Sequence, residues 1–173
     1  MTAWKCAPFG ELTAQELYDI LQARAAVFVV EQMCAFQDLD GADQHSWHLM
    51  GRSTLSPALP QGGGRMAPLV AYCRLVEPGI KFAEPSIGRV VTVGAARGTG
   101  LGRALMAEAL ARAEKLWPGK ALRIGAQQRL QRFYQSLGFD TVSQPYDEDG
   151  ILHVEMLRPA SVVPDKAGQP IGQ

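Results

Sequence analysis

Apolar positions along this chain switch between two periods, and the switches mark its elements. Leu17, Ile20, Leu21, Val27 and Phe28 recur at helical spacing, which predicts a first helix opening at Thr13. Thr13 and Glu16 stand three apart as a capping box requires, with Leu12 and Leu17 placed as a hydrophobic staple. A second helix is predicted from Gly100, turning Leu101, Leu105, Ala109 and Leu116 inward and stopping at Trp117-Pro118-Gly119. A third is short. It carries Leu130, Phe133, Tyr134 and Leu137 at i, i+3, i+4 and i+7, with Gly138 as a left-handed cap and Phe139 as its apolar contact.

Residues 3–9, 47–51, 69–76, 87–93, 122–126, 139–142 and 152–158 read as strands. Val90, Val91, Thr92 and Val93 are β-branched throughout, as a buried central strand would be. Strands interleaved with helices predict an α/β (α+β) fold, a mixed sheet flanked by helices. The Pro-, Gly- and Ser-rich stretch 53–67 is expected to be a flexible surface loop. Residues 159–173, with three prolines and two glycines, are expected to form a loose tail. Residues 1–158 then make a single domain.

Composition narrows the classes. The chain has 173 residues, the size of one ordinary domain, and is 47% hydrophobic and 20% charged. Seventeen basic residues balance seventeen acidic ones, which argues against a nucleic-acid partner held by bulk charge. Cys6, Cys34 and Cys73 are odd in number and widely spaced, so no disulfide framework is expected and a reducing cytoplasm is the default. Cys34 and Cys73 read as small buried hydrophobes. No apolar run approaches eighteen residues, so no membrane span is expected.

The most informative stretch runs from Val90 to Arg103. A strand leads into Gly98, Gly100 and Gly102, and a helix follows at once. Small residues let backbone N–H groups approach a ligand, and a helix N-terminus favours negative charge. Arg97 and Arg103 flank that terminus, where the macrodipole disfavours cations unless an anion joins them. No acidic residue occurs between Arg89 and Glu108, so phosphate is the expected anion. A Walker loop fails for want of a Lys after the glycines, and a dinucleotide fingerprint fails because Arg103 replaces its third glycine. A glycine-rich turn with solvated arginines would give the same letters.

Arg97-Gly98-Thr99-Gly100-Leu101-Gly102 resembles the [RQ]xxGx[GA] pyrophosphate loop of the GCN5-related N-acetyltransferase (GNAT) superfamily. Phe133-Tyr134-Gln135-Ser136-Leu137-Gly138-Phe139 is similar to that superfamily's second signature, and one helix and one strand lie between the two. Within the superfamily the chain looks like the ElaA-type subgroup, on Arg24 to Gln32, Gln37 to Gly41, Gly125 to Gln127 and Tyr146 to His153.

The resemblance implies a mostly antiparallel sheet of about seven strands, and acetyl-CoA lying where strands 90–93 and 122–126 splay apart. Val91, Thr92 and Val93 would meet the pantetheine arm, main-chain groups of Val91 and Val93 above all. Amides from Arg97 through Gly98, Thr99, Gly100, Leu101 and Gly102 to Arg103 would hold the pyrophosphate. An amide near Val91 would polarise the thioester carbonyl, and Gln127 would stand where relatives often contact the cosubstrate with Asn. Tyr134 would protonate the departing thiolate; its place in an apolar helical stripe equally fits core packing. A primary amine of a small molecule or peptide would attack directly, and a homodimer is in keeping with the family.

Two residues are candidate bases. Glu31 shares a predicted helix face with Arg24 and Phe28, so it either takes the amine proton or forms a structural pair with Arg24. His153 alternates with Leu152, Val154 and Met156, which look buried, so it faces a cleft or solvent. Asp38-Leu39-Asp40-Gly41 begins like a calcium loop, but Leu49 stands where Glu is required; a solvated turn or a patch for a cationic substrate fits better. His45 and His48 lack the partners of a zinc site, so no metal is expected. Two alternatives keep the fold: an acyltransferase fed by acyl carrier protein, as in homoserine-lactone synthases, or a non-catalytic acyl-CoA-binding module. The acidic runs 38–43 and 147–149 suggest a cationic acceptor, or merely a solvated face.

Overall fold

The computed structural model describes residues 1–54 and 66–160. Most of the expected loop, 55–65, and of the expected tail, 161–173, lies outside the described residues; Ser53 itself belongs to a strand. In chain order the elements are β1 (Thr2–Pro8), α1 (Ala14–Arg24), a π-helical segment (Ala25–Glu31), β2 (Ser46–Ser53), β3 (Leu69–Val76) and β4 (Ser86–Thr92). Then follow α2 (Leu101–Leu116), β5 (Leu122–Gln127), α3 (Gln131–Gln135), β6 (Asp140–Thr141), β7 (Tyr146–Glu148) and β8 (Ile151–Arg158). Among the described residues the sheet has eight strands, where about seven are expected. The added strand, β7, is three polar-rich residues with no alternation to read, and it exists because a turn through Asp149 and Gly150, both at positive φ, folds it onto β8.

The strands lie in the order β1-β2-β3-β4-β5-β8-β6, with β7 also on β8. Leu49 pairs with Cys73 and Met50 with Tyr72 across β2 and β3, so the two pairs face opposite sides. Leu49 and Cys73 join Leu105, Met106, Ala109 and Ala113 of α2, with Ile124, Tyr134, Phe139 and Met156, in the main core. Met50 and Tyr72 instead cover Ile20 of α1. The helices therefore sandwich the sheet. Among the described residues no helix is long and apolar enough to cross a membrane.

Local chemistry sets the boundaries. The Thr13 hydroxyl accepts from the Glu16 amide at 3.2 Å and the Glu16 carboxylate accepts from the Thr13 amide at 3.0 Å, so the capping box forms; such a cap stabilises by about 1 kcal/mol. Gly138, at φ +86°, ends the α3 region as expected. The first helix departs from expectation. Past Arg24 it widens, and the Gln32 amide reaches back five residues to the Val27 carbonyl at 3.1 Å. That widening rotates the following side chains, so Arg24 and Glu31 do not share a face.

Every adjacent pair in the sheet is antiparallel except β4 and β5. These two run parallel and match only at Ser86 and Arg123, where the Arg123 amide donates to the Pro85 carbonyl at 3.1 Å. Beyond that point they separate. β4 is bulged: its register with β3 passes from Gly88–Arg74 to Val91–Tyr72, so Arg89 and Val90 together oppose Cys73, and Arg89 takes φ +51°. A bulge bends its strand and increases the local twist, which turns β4 away from β5.

Candidate active site

The gap between β4 and β5 is a cleft of about 380 Å³. Its walls are Val90, Val91 and Thr92 of β4, Val27, Phe28 and Glu31 of the π-helical segment, Gly125 and Gln127 of β5, and Tyr134 and His153. A second cleft of about 370 Å³ is lined by Arg74, Lys81, Phe82, Tyr146 and Glu155 among others. Ile87, Gly88, Arg89, Gly125, Glu148 and His153 line both, so the two clefts meet where the strands part. Gly88 and Gly125 are one residue from each strand at that junction. A Cβ at Gly125 would press on the Tyr146 hydroxyl at 3.2 Å.

The strand edge differs in detail from expectation. Val91 and Thr92 line the cleft and Val93 does not. The Val93 amide donates to the Val70 carbonyl at 3.0 Å, and its own carbonyl accepts from Ala96 at 2.8 Å. Backbone groups alternate in direction along an antiparallel ladder, so Val91, two residues earlier and opposite Tyr72, also turns its main chain toward β3. The groups left at the open edge belong to Thr92, whose carbonyl accepts from Arg97 Nε at 3.1 Å, and to Val90. A sequence cannot show which of two alternating sets a sheet will use.

The glycine loop lies past the end of the cleft, with Arg97 as its cleft-lining residue. Gly98 at φ +76° and Gly100 at φ +84° occupy the region that glycine alone enters freely. Among the described residues the amides of Gly100, Leu101 and Gly102 make no backbone hydrogen bond, as expected of the unpaired donors opening a helix. Thr99 Oγ1 donates to the Ala96 carbonyl at 2.7 Å. Arg103 leans on α3, over the Phe133 ring at 5.8 Å and donating to Ser136 Oγ at 3.0 Å.

Tyr134 is both core and wall. Its ring packs edge-on against Phe133 and Phe139, while the cleft reaches the residue. Burial pushes its phenol up to about 12, so it stays protonated. His153 Nδ1 lies 2.8 Å from the Ile151 carbonyl. A carbonyl only accepts, so in the neutral ring Nδ1 carries the hydrogen and Nε2 keeps its lone pair. Tyr146 stacks on the ring, and Glu148 Oε2 lies 3.8 Å from Nδ1. Val154 and Met156 are buried as expected, but Leu152 is exposed. Gln127 lines the cleft with its amide already engaged: it donates to Gln32 at 3.2 Å and accepts from Arg129 at 2.9 Å, both cleft residues as well.

The expected pairing of Arg24 with Glu31 gives way to others. Arg24 is fully buried and donates to Asp38 and Asp43, not to Glu31. Glu31 takes Arg97 instead, and hydrogen bonds from that guanidinium hold its carboxyl below the usual carboxylate range. The acidic run 38–43 is no solvated turn or cation patch, because Asp38, Asp40 and Asp43 pair with Arg24, Arg74 and Arg89. Both His48 nitrogens are occupied, Nε2 by the Asp43 carbonyl and Nδ1 by the Tyr72 hydroxyl. Among the described residues no group of three or more metal-ligating side chains assembles. Cys73 is buried, whereas Cys34 lines the cleft, its thiol donating to the Asp149 carbonyl at 3.3 Å. Arg74 and Arg89 escaped the sequence reading. Their signal was a lone arginine inside each of two otherwise apolar strands.

Comparison with known proteins gives this geometry its family. The acetyltransferase (GNAT) domain matches residues 68–158. The chain belongs to the GNAT acyltransferase family. Escherichia coli ElaA is 39% identical over 160 residues, covering 91% of this chain and 97% of that protein. Its crystal structure superposes with a TM-score of 0.80. An acyl-CoA N-acyltransferase structure from Pseudomonas aeruginosa is 41% identical, covering 91% of this chain and 99% of that one, also at a TM-score of 0.80. A UPF0039 protein of Synechocystis is 39% identical over 89% of this chain and 93% of its own length. This GNAT chain is therefore an acyltransferase of the ElaA-like group.

Proposed function

We propose that this GNAT enzyme transfers an acetyl group from acetyl-CoA to a primary amine of a small molecule or peptide, by direct attack and without a covalent acyl-enzyme. The observation that carries the reading is the junction of the two clefts. It gives the thioester and the amine separate approaches to one gap, and proximity of two bound reactants supplies much of such an enzyme's acceleration. Free amides at the start of α2 suit the pyrophosphate, and the open edge of β4 at Val90 and Thr92 suits the pantetheine arm.

The proton steps follow from the side chains. The amine nitrogen forms a bond to the carbonyl carbon and the C–S bond breaks. His153 is the base that takes the proton from the nitrogen, because Nε2 keeps a lone pair while Nδ1 is tied to Ile151. Tyr134, kept protonated by burial, gives its proton to the leaving thiolate. Glu31 is already ionised and held by Arg97, so it is assigned to shaping the cleft mouth.

Calorimetric titration of acetyl-CoA tests this, beside a variant carrying Gly100→Ala and Gly102→Ala. Micromolar binding to the parent, lost in a variant that still unfolds cooperatively, is the expected result. Absence of binding to the folded parent would overturn the acetyl-CoA reading and favour a carrier-protein donor. Tight binding with no thiol release on any amine would favour a non-catalytic module.

A further inference from the structure

The second cleft has two ends of opposite character. Arg74 of β3, Arg89 of β4 and Lys81 line one end; at the β7–β8 end stand Glu148, His153 and Glu155, the last already paired with Arg123 at 2.8 Å. The basic end carries a surplus. Asp38, Asp40 and Asp43 are three carboxylates facing the three guanidiniums of Arg24, Arg74 and Arg89. Lys81 is a fourth cation, and it touches this group only at 3.7 Å, through Asp40.

Two guanidiniums at that end also have unused donors. Arg74 is buried, 1% exposed, and its Nε is the one buried side-chain nitrogen or oxygen among the described residues without a hydrogen-bond partner. A Cβ added at Gly88 would meet nothing but this nitrogen, at 4.0 Å, so the space beside it is left by a glycine that lines the cleft. An unpaired buried donor is costly unless something completes it. Arg89 donates through Nε and Nη2 to Asp38 and Asp40, while its Nη1 meets no acceptor among the described residues. Its guanidinium is fixed in place by the rings of Phe28 and Phe36, at 5.9 and 5.3 Å. Its backbone sits at φ +51°, a conformation that non-glycine residues hold at a cost and that clusters at functional sites.

We propose that the acceptor is zwitterionic: an amino acid or short peptide whose carboxylate binds at the Arg74–Lys81–Arg89 end while its amine is presented at His153. The proposal rests on the transfer reaction above and names its substrate class. A planar carboxylate with one negative charge matches both the surplus of one positive charge and the in-plane donors of guanidinium. Glu148 favours a cationic amine at the other end; the group reacts as the free amine, and His153 takes the one proton that its nitrogen gives up on attack. The products are the N-acetylated amino acid or peptide and free CoA. A cleft of about 370 Å³ lies at the small end of ligand pockets and suits a molecule of this size.

The test is a rate comparison of thiol release with the twenty amino acids and a set of dipeptides, each beside its C-terminal amide. The expected result is an accepted acid whose amide has a KM higher by about tenfold or more at nearly unchanged kcat, the scale of one lost hydrogen bond to a charged group. Lys81→Ala, at a side chain 42% exposed, should raise KM for the acid and leave the amide unaffected. Equal KM for acids and amides, or turnover confined to amines lacking a carboxylate, overturns the proposal. If no amine is acetylated, the transfer reading has failed on its own. The carboxylate site is then read by NMR titration of the same acids and amides, and equal shifts from both overturn it.

Discussion

Glu31 and Arg97, 66 residues apart, close on each other across the mouth of the cleft, the guanidinium donating to both carboxylate oxygens at 2.5 and 2.9 Å. One belongs to the π-helical segment and the other opens the glycine loop, so the pair spans the two walls. A two-point contact orients both groups, yet each is well exposed, so its contribution to stability is small and screened by salt. Replacing Glu31 by Gln should therefore lower kcat far less than the ~10²-fold loss that follows removal of a general base. It should also change the salt dependence of acetyl-CoA binding by releasing Arg97. A collapse of kcat in steady-state assays would return the base to Glu31.

Tyr134→Phe separates the two roles of this residue. The ring packing on Phe133 and Phe139 survives the change, and the hydroxyl has no protein partner among the described residues, so the thermal midpoint should barely move. Loss of the acid should cost on the order of 10²-fold in kcat, with acetyl-CoA binding retained. Full activity in the variant would leave Tyr134 as core alone.

His153→Gln should cost on the order of 10²-fold in kcat with acetyl-CoA binding retained, because the lone pair that takes the amine proton is gone. Ile151→Ala leaves the carbonyl that orients the ring in place, and it serves as the control. Full kcat in the Gln variant would exclude His153 as the base.

The buried charges predict acid sensitivity of the fold. Burial pushes the His48 imidazole below its ordinary value of about 6.5. A group depressed on folding stabilises above its unfolded value and loses that contribution as the pH falls toward its folded one. Burial alone would raise the Asp43 carboxyl, but hydrogen bonds from Arg24 and Arg74 outweigh it and hold it low, so its contribution is lost further down, below about pH 4. Urea midpoints should be level between about pH 7 and 8 and decline in two stages on acidification. A midpoint unchanged between pH 7 and 5 would contradict a neutral, buried His48.

Trp4 lies over Gly51 on the neighbouring strand, and a Cβ there would come within 2.5 Å of its ring. Gly51→Ala should destabilise by roughly 1–3 kcal/mol, the range for overpacking. Trp4→Leu should recover part of the loss when the two changes are combined. Additive losses in chemical denaturation would show that the ring is free to move aside.

Much of the fold was legible because short-range chemistry encodes it. The Thr13–Glu16 box, the glycine at 138 and the β-branched run in β4 each act within a few residues of themselves. So did β3, whose bounds at Leu69–Val76 match its apolar run. β7 was invisible, since three residues carry no period and its partner is what makes it a strand. Arg24 was misplaced for a related reason: helical arithmetic assumes one period, and the widening after it breaks that assumption.

Sequence by itself determined the family, the order of the main elements and the glycine loop, because these depend on residue type and spacing along the chain. Tertiary structure decided which charges meet. Asp38, Asp40 and Asp43 looked like a free acidic patch until β3 and β4 brought Arg74 and Arg89 against them. It decided as well that Val93 spends its amide on Val70, and that the β4 bulge opens the sheet beside Arg89. Ion pairs and edge hydrogen bonds depend on distances between strands far apart in sequence, and those are set only when the whole sheet packs.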